Sequence, residues 1–116
     1  MMEVVVNRGD VFYADLGFDG TCRQGGTRPI VIVSNQTCNR YSSIISVVCL
    51  TTAQCKANLP THVELLACET GLARDSICLC EQPMSISKTR LFDFVTNLGE
   101  EHMRLIDNAL RCQLCL

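Results

Sequence analysis

The chain has no Trp, only two His and three Pro, and no long hydrophobic segment. Its apolar runs are about four residues long, far short of the roughly 20 residues that a membrane-spanning helix needs. The N-terminus lacks the basic region and the apolar stretch of a signal peptide. We therefore expect a cytoplasmic protein without membrane association. Apolar residues make up 47% of the 116 residues, which indicates one globular domain over residues 1–116.

Charge is also scarce. Charged residues are 19% of the chain, and the formal net charge of −2 excludes a broad cationic surface for nucleic acid while permitting a local one. Residues 1–58 hold five basic and four acidic side chains, whereas residues 59–116 hold five and eight. An anionic ligand is therefore expected to bind the first half, which carries Arg23, Arg28, Arg40 and Lys56.

The motifs of familiar hydrolases are missing. The sequence contains no Gly-x-Ser-x-Gly, no phosphate-binding P-loop and no His-Glu-x-x-His. Carboxylates arranged for a two-metal site are missing too. His62 alternates with strand-like neighbours and is interpreted as structural, with an acid–base role as the minor alternative, and His102 is expected to be solvated. A mechanism without metal or cofactor is the simpler hypothesis.

Cysteine, in contrast, is abundant, with nine residues and no regular spacing. Cys49, Cys78 and Cys80 fall within apolar runs, where a reduced cysteine behaves as a small hydrophobe. A disulfide framework would suit a secreted, loop-rich mini-protein, which the rest of the chain does not resemble. Cys112-x-x-Cys115 is the only pair with the spacing of zinc ligands. A zinc-dependent or redox-controlled domain remains a minor alternative.

Short apolar segments predict a mainly β protein. The expected strands cover residues 11–16, 30–34, 44–50, 62–65, 76–80 and 92–95, with a polar turn over 35–43 and a short helical turn capped by Ser87. Apolar residues then recur at helical spacing from Glu100 to Leu114, and Gly99 is placed as the N-cap. The pattern predicts an α+β fold: a compact β-barrel or a strongly bent antiparallel sheet with a C-terminal helix packed on it.

The segment Gln24-Gly25-Gly26-Thr27-Arg28-Pro29 is the most informative feature. Its glycines allow a close approach to another molecule, and Pro29 favours an extended Arg28. RNA supplies its own nucleophile, the 2′-OH, so a protein can cleave it without metal by stabilising the phosphate. Arg28 and a hydroxyl such as that of Thr51 suit this role, whereas the general base is not identified.

Six segments in this order are similar to those of the MazF/PemK family of toxin endoribonucleases: Arg8-Gly9-Asp10-Val11-Phe12-Tyr13-Ala14-Asp15-Leu16, Gln24-Gly25-Gly26-Thr27-Arg28-Pro29, Asn39-Arg40-Tyr41, Leu59-Pro60-Thr61-His62-Val63-Glu64, Arg74-Asp75-Ser76 and Glu81-Gln82. The resemblance covers nearly the whole chain. It implies a CcdB-like, SH3-like barrel, a homodimer, and metal-independent cleavage of single-stranded RNA at short sequences to a 2′,3′-cyclic phosphate (or 3′-phosphate) and a 5′-OH. It also implies inhibition by a cognate antitoxin protein, with any DNA binding only through that complex.

The resemblance also implies site residues. Arg28 corresponds to the catalytic arginine of the family, and Thr51 to the catalytic threonine of its MazF branch. Gln24 falls in the loop that covers RNA, and Glu81 and Gln82 fall at a strand end that contacts substrate.

The same loop departs from the family. Cys22 stands where Ser or His is common, and Arg23 where Glu is common. Cys22 is kept as a candidate RNA contact, but a base supplied from this loop is not expected.

The alternative is a non-enzymatic, gyrase-binding toxin of the CcdB type on the same fold. Such a toxin would need aromatic anchors at its C-terminus. The chain ends Gln113-Leu114-Cys115-Leu116 and has no Trp, which disfavours this alternative.

Overall fold

A computed structural model describes residues 5–17, 26–52 and 59–116. Within these ranges the elements, in chain order, are β1 (Asp10–Asp15), β2 (Thr27–Ile32), α1 (Gln36–Tyr41), β3 (Ile44–Thr52), β4 (His62–Leu65), α2 (Ala67–Thr70), β5 (Ser76–Leu79), β6 (Met84–Ser87), a 3₁₀ turn (Lys88–Arg90), β7 (Leu91–Asn97) and α3 (Glu100–Leu114).

The strands form one antiparallel sheet in the order β4-β5-β3-β2-β1-β7, with β6 also paired to β3. The long strand β3 organises it. Its first half pairs with β6, Ile44 opposite Ser87, and its end pairs with β5, Thr51 opposite Ile77. Because β3 pairs with two different strands along one edge, the sheet bends at this strand. The order ends at β4 and β7, so the described sheet is open, and the prediction of a strongly bent sheet is confirmed.

Alternating side chains give the sheet two apolar faces. The helix face packs against Met103, Ile106 and Ala109 of α3. Its residues from the strands, and from the turn after β5, are Val11, Val31, Val48, Leu50, Val63, Leu65, Cys78 and Cys80. The inner face forms a second cluster, which comprises Val6, Phe12, Ala14, Ile30, Ile32, Ile45, Val47, Cys49, Ile86 and Leu91. Both clusters are buried and therefore inaccessible to a ligand. Candidate binding surfaces are formed by the strand residues that follow the buried ones on the same face.

Helix α3 has the predicted bounds. Gly99 is its N-cap, and Leu98 and Met103, on either side of the cap, are both buried. An ion pair between Arg8 and Asp107 ties the helix to the segment before β1. Helix α3 therefore covers the helix face of the sheet, and none of its residues, all of which the structure describes, belongs to the cluster of the inner face.

Two predicted segments differ from the structure. The polar segment 35–43 contains helix α1 instead of only a turn, because the side chain of Asn35 caps Cys38 N at 2.8 Å and the buried Asn39 donates to Ser34 O at 2.8 Å. Strand β2 begins at Thr27, three residues earlier than expected, because it pairs with the full length of β1. Arg28 therefore lies within a strand.

Candidate active site

Arg28 and Thr51 lie on neighbouring strands at the same end of the inner face. Ile30 pairs with Cys49 at the end of the β2–β3 ladder, and extending that antiparallel register by two residues on each strand puts Arg28 opposite Thr51. Residues two apart on a strand share a face, so both side chains extend the face that carries Ile30 and Cys49. Both are half-buried. The two residues predicted to be catalytic are therefore cross-strand neighbours.

Pro29 shapes the sheet at this point. The described β2–β3 ladder runs from Ile32 to Ile30 and ends there, although β3 continues to Thr52. Proline has no N–H to donate, so it cannot extend a ladder in which that group is needed. Arg28 and Thr51 thus face each other just beyond the last paired residues, where the strand edges can admit a ligand.

Cys49 lies on the same face of β3 as Thr51, two residues before it, and pairs with Ile30. Burial raises the pKa of the Cys49 thiol, and the positive charge of nearby Arg28 partly offsets the effect. The thiol is therefore neutral at pH 7, and the guanidinium is close enough to act on it electrostatically. Within the described residues, no carboxylate forms an ion pair with Arg28. The local field of the site is positive, as a phosphodiester requires.

The loop between β1 and β2 leaves the sheet beside Arg28. Its two described ends are joined by backbone hydrogen bonds, Gly26 N to Gly17 O at 2.7 Å and Leu16 N to Gly26 O at 2.9 Å. Gly17 and Gly26 have φ of 67° and 81°, a region that favours glycine. The predicted RNA contacts Cys22 and Gln24 lie outside the described residues.

Glu81 and Gln82 lie in the turn after β5, four and five residues beyond Ile77, which pairs with Thr51. The Glu81 carboxylate accepts a hydrogen bond from Thr61 Oγ1 at 3.3 Å and lies 3.0 Å from His62 Nε2. Gln82 is half-buried in the turn, where its N–H donates to Leu79 O at 3.1 Å. The side chains of Glu81 and His62 are therefore in direct contact, and the proposed RNA contact of Glu81 and the structural interpretation of His62 stay predictions.

The other histidine differs from expectation. His102 was predicted to be solvated, but its side chain is only 17% exposed and its Nε2 lies 3.3 Å from Glu69 Oε1. Helix α2 carries Glu69 and brings it against α3, a tertiary contact that helical periodicity does not reveal.

Two charged residues near the site were not singled out from the sequence. Glu64 pairs with Ile77, which pairs with Thr51, so Glu64 lies in the same cross-strand row two strands away. Arg90 donates from Nη1 to the main-chain oxygen of Asp15 at 3.1 Å, beside the strand that pairs with Arg28. Only the strand register reveals these positions.

A cavity of about 310 Å³ lies on the other side of the same strands. The cavity is lined by the largely apolar side chains of Tyr13, Pro29 and Leu50. Arg74 and Ser76 contribute polar groups to the lining. Pro29 therefore separates the cavity from the Arg28–Thr51 pair.

The described residues give two further results. None of their helices is both long and apolar enough to cross a bilayer. Cys112 and Cys115 are exposed near the end of α3, and no group of three His, Cys, Asp or Glu in this part of the chain is arranged to hold a metal ion.

Comparison with known proteins extends over nearly the whole chain. Residues 7–114 match the family model described as PemK-like, MazF-like toxin of type II toxin-antitoxin system. The chain is 43% identical over 113 residues to endoribonuclease EndoA of Bacillus subtilis (strain 168), covering 97% of each protein. It is 42% identical over 112 residues to endoribonuclease MazF of Staphylococcus epidermidis, covering 97% of this chain and 93% of that protein.

Solved structures agree with these relatives. A mycobacterial endoribonuclease in complex with its cognate antitoxin superposes with a TM-score of 0.78 at 27% identity, covering 96% of both chains. MazF from Deinococcus radiodurans, at 17% identity, shows the fold alone, with a TM-score of 0.81 over 98% of this chain and 100% of that chain. The resemblance found in the sequence motifs is confirmed: the chain belongs to the PemK-like, MazF-like family of toxins of type II toxin–antitoxin systems.

Proposed function

We propose that this chain is a toxin endoribonuclease that cleaves single-stranded RNA at short sequences without a metal ion or cofactor. Its family and its two full-length endoribonuclease relatives support the activity. The observation that carries the mechanism is that Arg28 and Thr51 extend the same face of neighbouring strands, two residues beyond the last pair of the β2–β3 ladder.

The reaction uses the nucleophile that RNA provides. The 2′-oxygen loses its proton and attacks the adjacent phosphorus, the bond from phosphorus to the 5′-oxygen breaks, and the 5′-oxygen takes up a proton. The products are a 2′,3′-cyclic phosphate, which hydrolysis converts to a 3′-phosphate, and a 5′-OH. Negative charge grows on the non-bridging oxygens in the transition state, so fixed donors aimed at them lower the barrier.

Arg28 and Thr51 supply such donors. The guanidinium of Arg28 is always protonated and its planar set of N–H groups matches two phosphate oxygens. The Thr51 hydroxyl adds a hydrogen bond from the neighbouring strand. Because both side chains rise from paired β-strands, little reorganisation is needed when the substrate binds.

RNA recognition is assigned to the loop that follows β1 and to the turn that follows β5. Cys22 and Gln24, between β1 and β2, and Glu81 and Gln82, after β5, are the proposed contacts. The net charge of −2 favours a few placed contacts over bulk attraction. Binding should therefore depend on base-edge contacts as well as on phosphate contacts.

The functional unit is proposed to be a cytoplasmic homodimer that a cognate antitoxin inhibits. The exposed aromatic residues of edge strand β7 support a covered surface. A register shift against β1 puts Phe92 beside Tyr13 and Phe94 beside Phe12, on opposite faces, and the two side chains are 49% and 57% exposed. The mycobacterial endoribonuclease noted above was solved with its antitoxin. Any DNA binding is proposed to occur only through the antitoxin complex.

A gyrase-binding toxin on the same fold is disfavoured. The exposed apolar residues at the C-terminus are Leu114 and Leu116, which are aliphatic and cannot provide the aromatic anchor that such a contact favours.

The test is incubation of the purified protein with a single-stranded RNA library in excess chelator, followed by mapping of cut sites and of the chemistry at both new ends. Cleavage at a short sequence, with 2′,3′-cyclic phosphate or 3′-phosphate and 5′-OH ends, supports the proposal. No cleavage by the wild-type protein, combined with binding to gyrase, would reverse it. Arg104→Ala, which removes an exposed arginine on α3, the helix that packs on the opposite face of the sheet, serves as the charge-matched control.

A further inference from the structure

Arg90 contacts the point at which the chain leaves β1. Its Nη1 donates to the main-chain oxygen of Asp15 at 3.1 Å, across 75 residues of sequence. A Cβ placed on Gly17 would lie 3.4 Å from the same nitrogen, so the guanidinium packs against Gly17 as well. One exposed arginine thus holds the last residue of the strand and the first turn of the following loop.

This point is linked directly to Arg28. Asp15 pairs with Thr27, and Ala14 pairs with Arg28 in the β1–β2 ladder. Gly17, whose N–H donates to Asp15 Oδ1 at 2.9 Å, accepts a hydrogen bond from Gly26 at 2.7 Å. A displacement of Asp15 would therefore be passed through paired backbone to the first residues of β2.

Arg90 itself is firmly placed. It ends the 3₁₀ turn whose N-cap Ser87 accepts a hydrogen bond from Thr89 N at 3.3 Å. The next residue, Leu91, is buried and pairs with Ala14 from the side opposite to Arg28. The backbone next to Arg90 is therefore held in the core beside β1, the strand whose last residue accepts the hydrogen bond from Arg90.

We propose that Arg90 is a positioning residue for the RNA cleavage reaction. Its hydrogen bond to Asp15 fixes the end of β1, and through the β1–β2 pairing it fixes the direction from which Arg28 approaches the scissile phosphate beside Thr51. The inference rests on the proposed function, since it assigns Arg90 to the same site. A direct contact between Arg90 and an RNA phosphate is the competing role for an exposed arginine, and the test separates the two.

The variants are Arg90→Ala, Arg90→Lys and, as the charge-matched control, Arg104→Ala. Arg104 is exposed on α3, and its ion pair with Glu101 is a surface contact at 3.7 Å. We expect Arg90→Ala to lower kcat about tenfold, because a misplacement of about 1 Å in a catalytic group can cost up to 100-fold. KM should change by less than about threefold, and the melting temperature should match that of the control. Arg90→Lys, whose amine can still donate to Asp15 O, should recover part of the rate, as should free guanidinium added to Arg90→Ala.

Two further measurements decide the matter. If Arg90 acts only through Arg28, the double variant Arg28→Ala/Arg90→Ala will be no slower than Arg28→Ala alone. The salt dependence of RNA binding should also be unchanged in Arg90→Ala. A higher KM in Arg90→Ala, together with a slope of log affinity against log salt concentration that is smaller by about 0.7, would identify a phosphate contact and overturn the proposal. Equal kcat in Arg90→Ala and Arg104→Ala would also overturn it, whereas an inactive wild-type protein would overturn the proposed function instead.

Discussion

Glu81 Oε2 lies 3.0 Å from His62 Nε2, which joins the end of β5 to the start of β4 beside the inner face. An ionised carboxylate only accepts hydrogen bonds, so Nε2 of His62 carries the proton in this pair. The Thr61 hydroxyl donates to the other oxygen of the same carboxylate at 3.3 Å. Both oxygens are therefore held by the chain itself, and the strand end that was predicted to contact RNA has a fixed shape.

Removal of this carboxylate should destabilise the protein. Glu81→Ala leaves the Nε2–H of His62 without its acceptor, in a side chain that is only 16% exposed, and should cost about 1–3 kcal/mol in the free energy of unfolding. Glu81→Gln keeps an acceptor oxygen and should cost less than half as much. Urea denaturation of both variants, and of His62→Ala and the double variant, measures the coupling. Additive costs of the two single substitutions would show that the pair contributes nothing.

The buried thiols should make stability fall at high pH. Burial raises the pKa of Cys49, and a hydrogen bond with Cys80 together with burial raises the pKa of Cys78 well above its ordinary value. When the pKa of a thiol is higher in the folded state than in the unfolded state, the protein has its full stability below the unfolded-state pKa. That stability is lost as the pH rises from the unfolded-state pKa toward the folded-state pKa. From about pH 9, the ordinary value for these thiols, unfolding should become easier by up to about 1.4 kcal/mol per pH unit for each thiol.

The corresponding measurement is the free energy of unfolding between pH 7 and pH 10.5 under reducing conditions. Cys49→Ala and Cys78→Ala should each flatten the decline above pH 9, whatever their stability at pH 7. Cys68→Ala, which removes an exposed thiol, should leave the slope unchanged. Parallel curves for all the variants would assign the decline to other groups.

Most of the fold could be predicted from local sequence patterns. The arrangement of the site residues could not, because it depends on pairing between strands that are distant in sequence. The alternation of apolar residues located most strands, and the stripe from Met103 to Leu110 with Gly99 before it located α3. Helix α1 was missed because its stability comes from the buried hydrogen bonds of Asn39, which a polar sequence does not reveal. Strand β6 was missed although Met84-Ser85-Ile86-Ser87 alternates apolar and polar residues, because Ser87 was assigned to the helical turn and the place of the strand is set by pairing with β3.

The candidate site shows the same division. The motif around Arg28 was visible in the sequence, but its position opposite Thr51 follows from a register that is fixed by Ile30 and Cys49. The chemistry of RNA cleavage and the resemblance to the toxin family suggested the two residues beforehand, but neither showed that they lie side by side. Arg90 carried no sequence signal, since its contact with Asp15 depends on β7 pairing with β1.

Substitution of Arg28 should remove much of the transition-state stabilisation. Loss of one preorganised donor to a developing oxyanion typically lowers kcat by about 100- to 1,000-fold, which is the expectation for Arg28→Ala. Arg28→Lys keeps the charge but loses the planar pair of donors, so it should retain only part of the activity. Single-turnover cleavage of one labelled RNA in excess chelator measures both, with Arg104→Ala as the control. Full activity in Arg28→Ala would remove Arg28 from the mechanism.

Thr51 provides a sharper test, because its hydroxyl can be removed or kept with little change in shape. Thr51→Val preserves the β-branched side chain that suits the end of β3, whereas Thr51→Ser preserves the hydroxyl. A hydrogen bond to a charged group is worth about 1.5–3 kcal/mol, so Thr51→Val should lower kcat by about 10- to 100-fold, and Thr51→Ser by only a few fold. The same single-turnover assay measures the rates, and binding of uncleavable RNA with 2′-deoxy at the cut site measures affinity, which should change little. If Thr51→Val cleaves as fast as Thr51→Ser, the hydroxyl does not touch the reacting phosphate, and the catalytic role passes to Arg28 and its remaining neighbours.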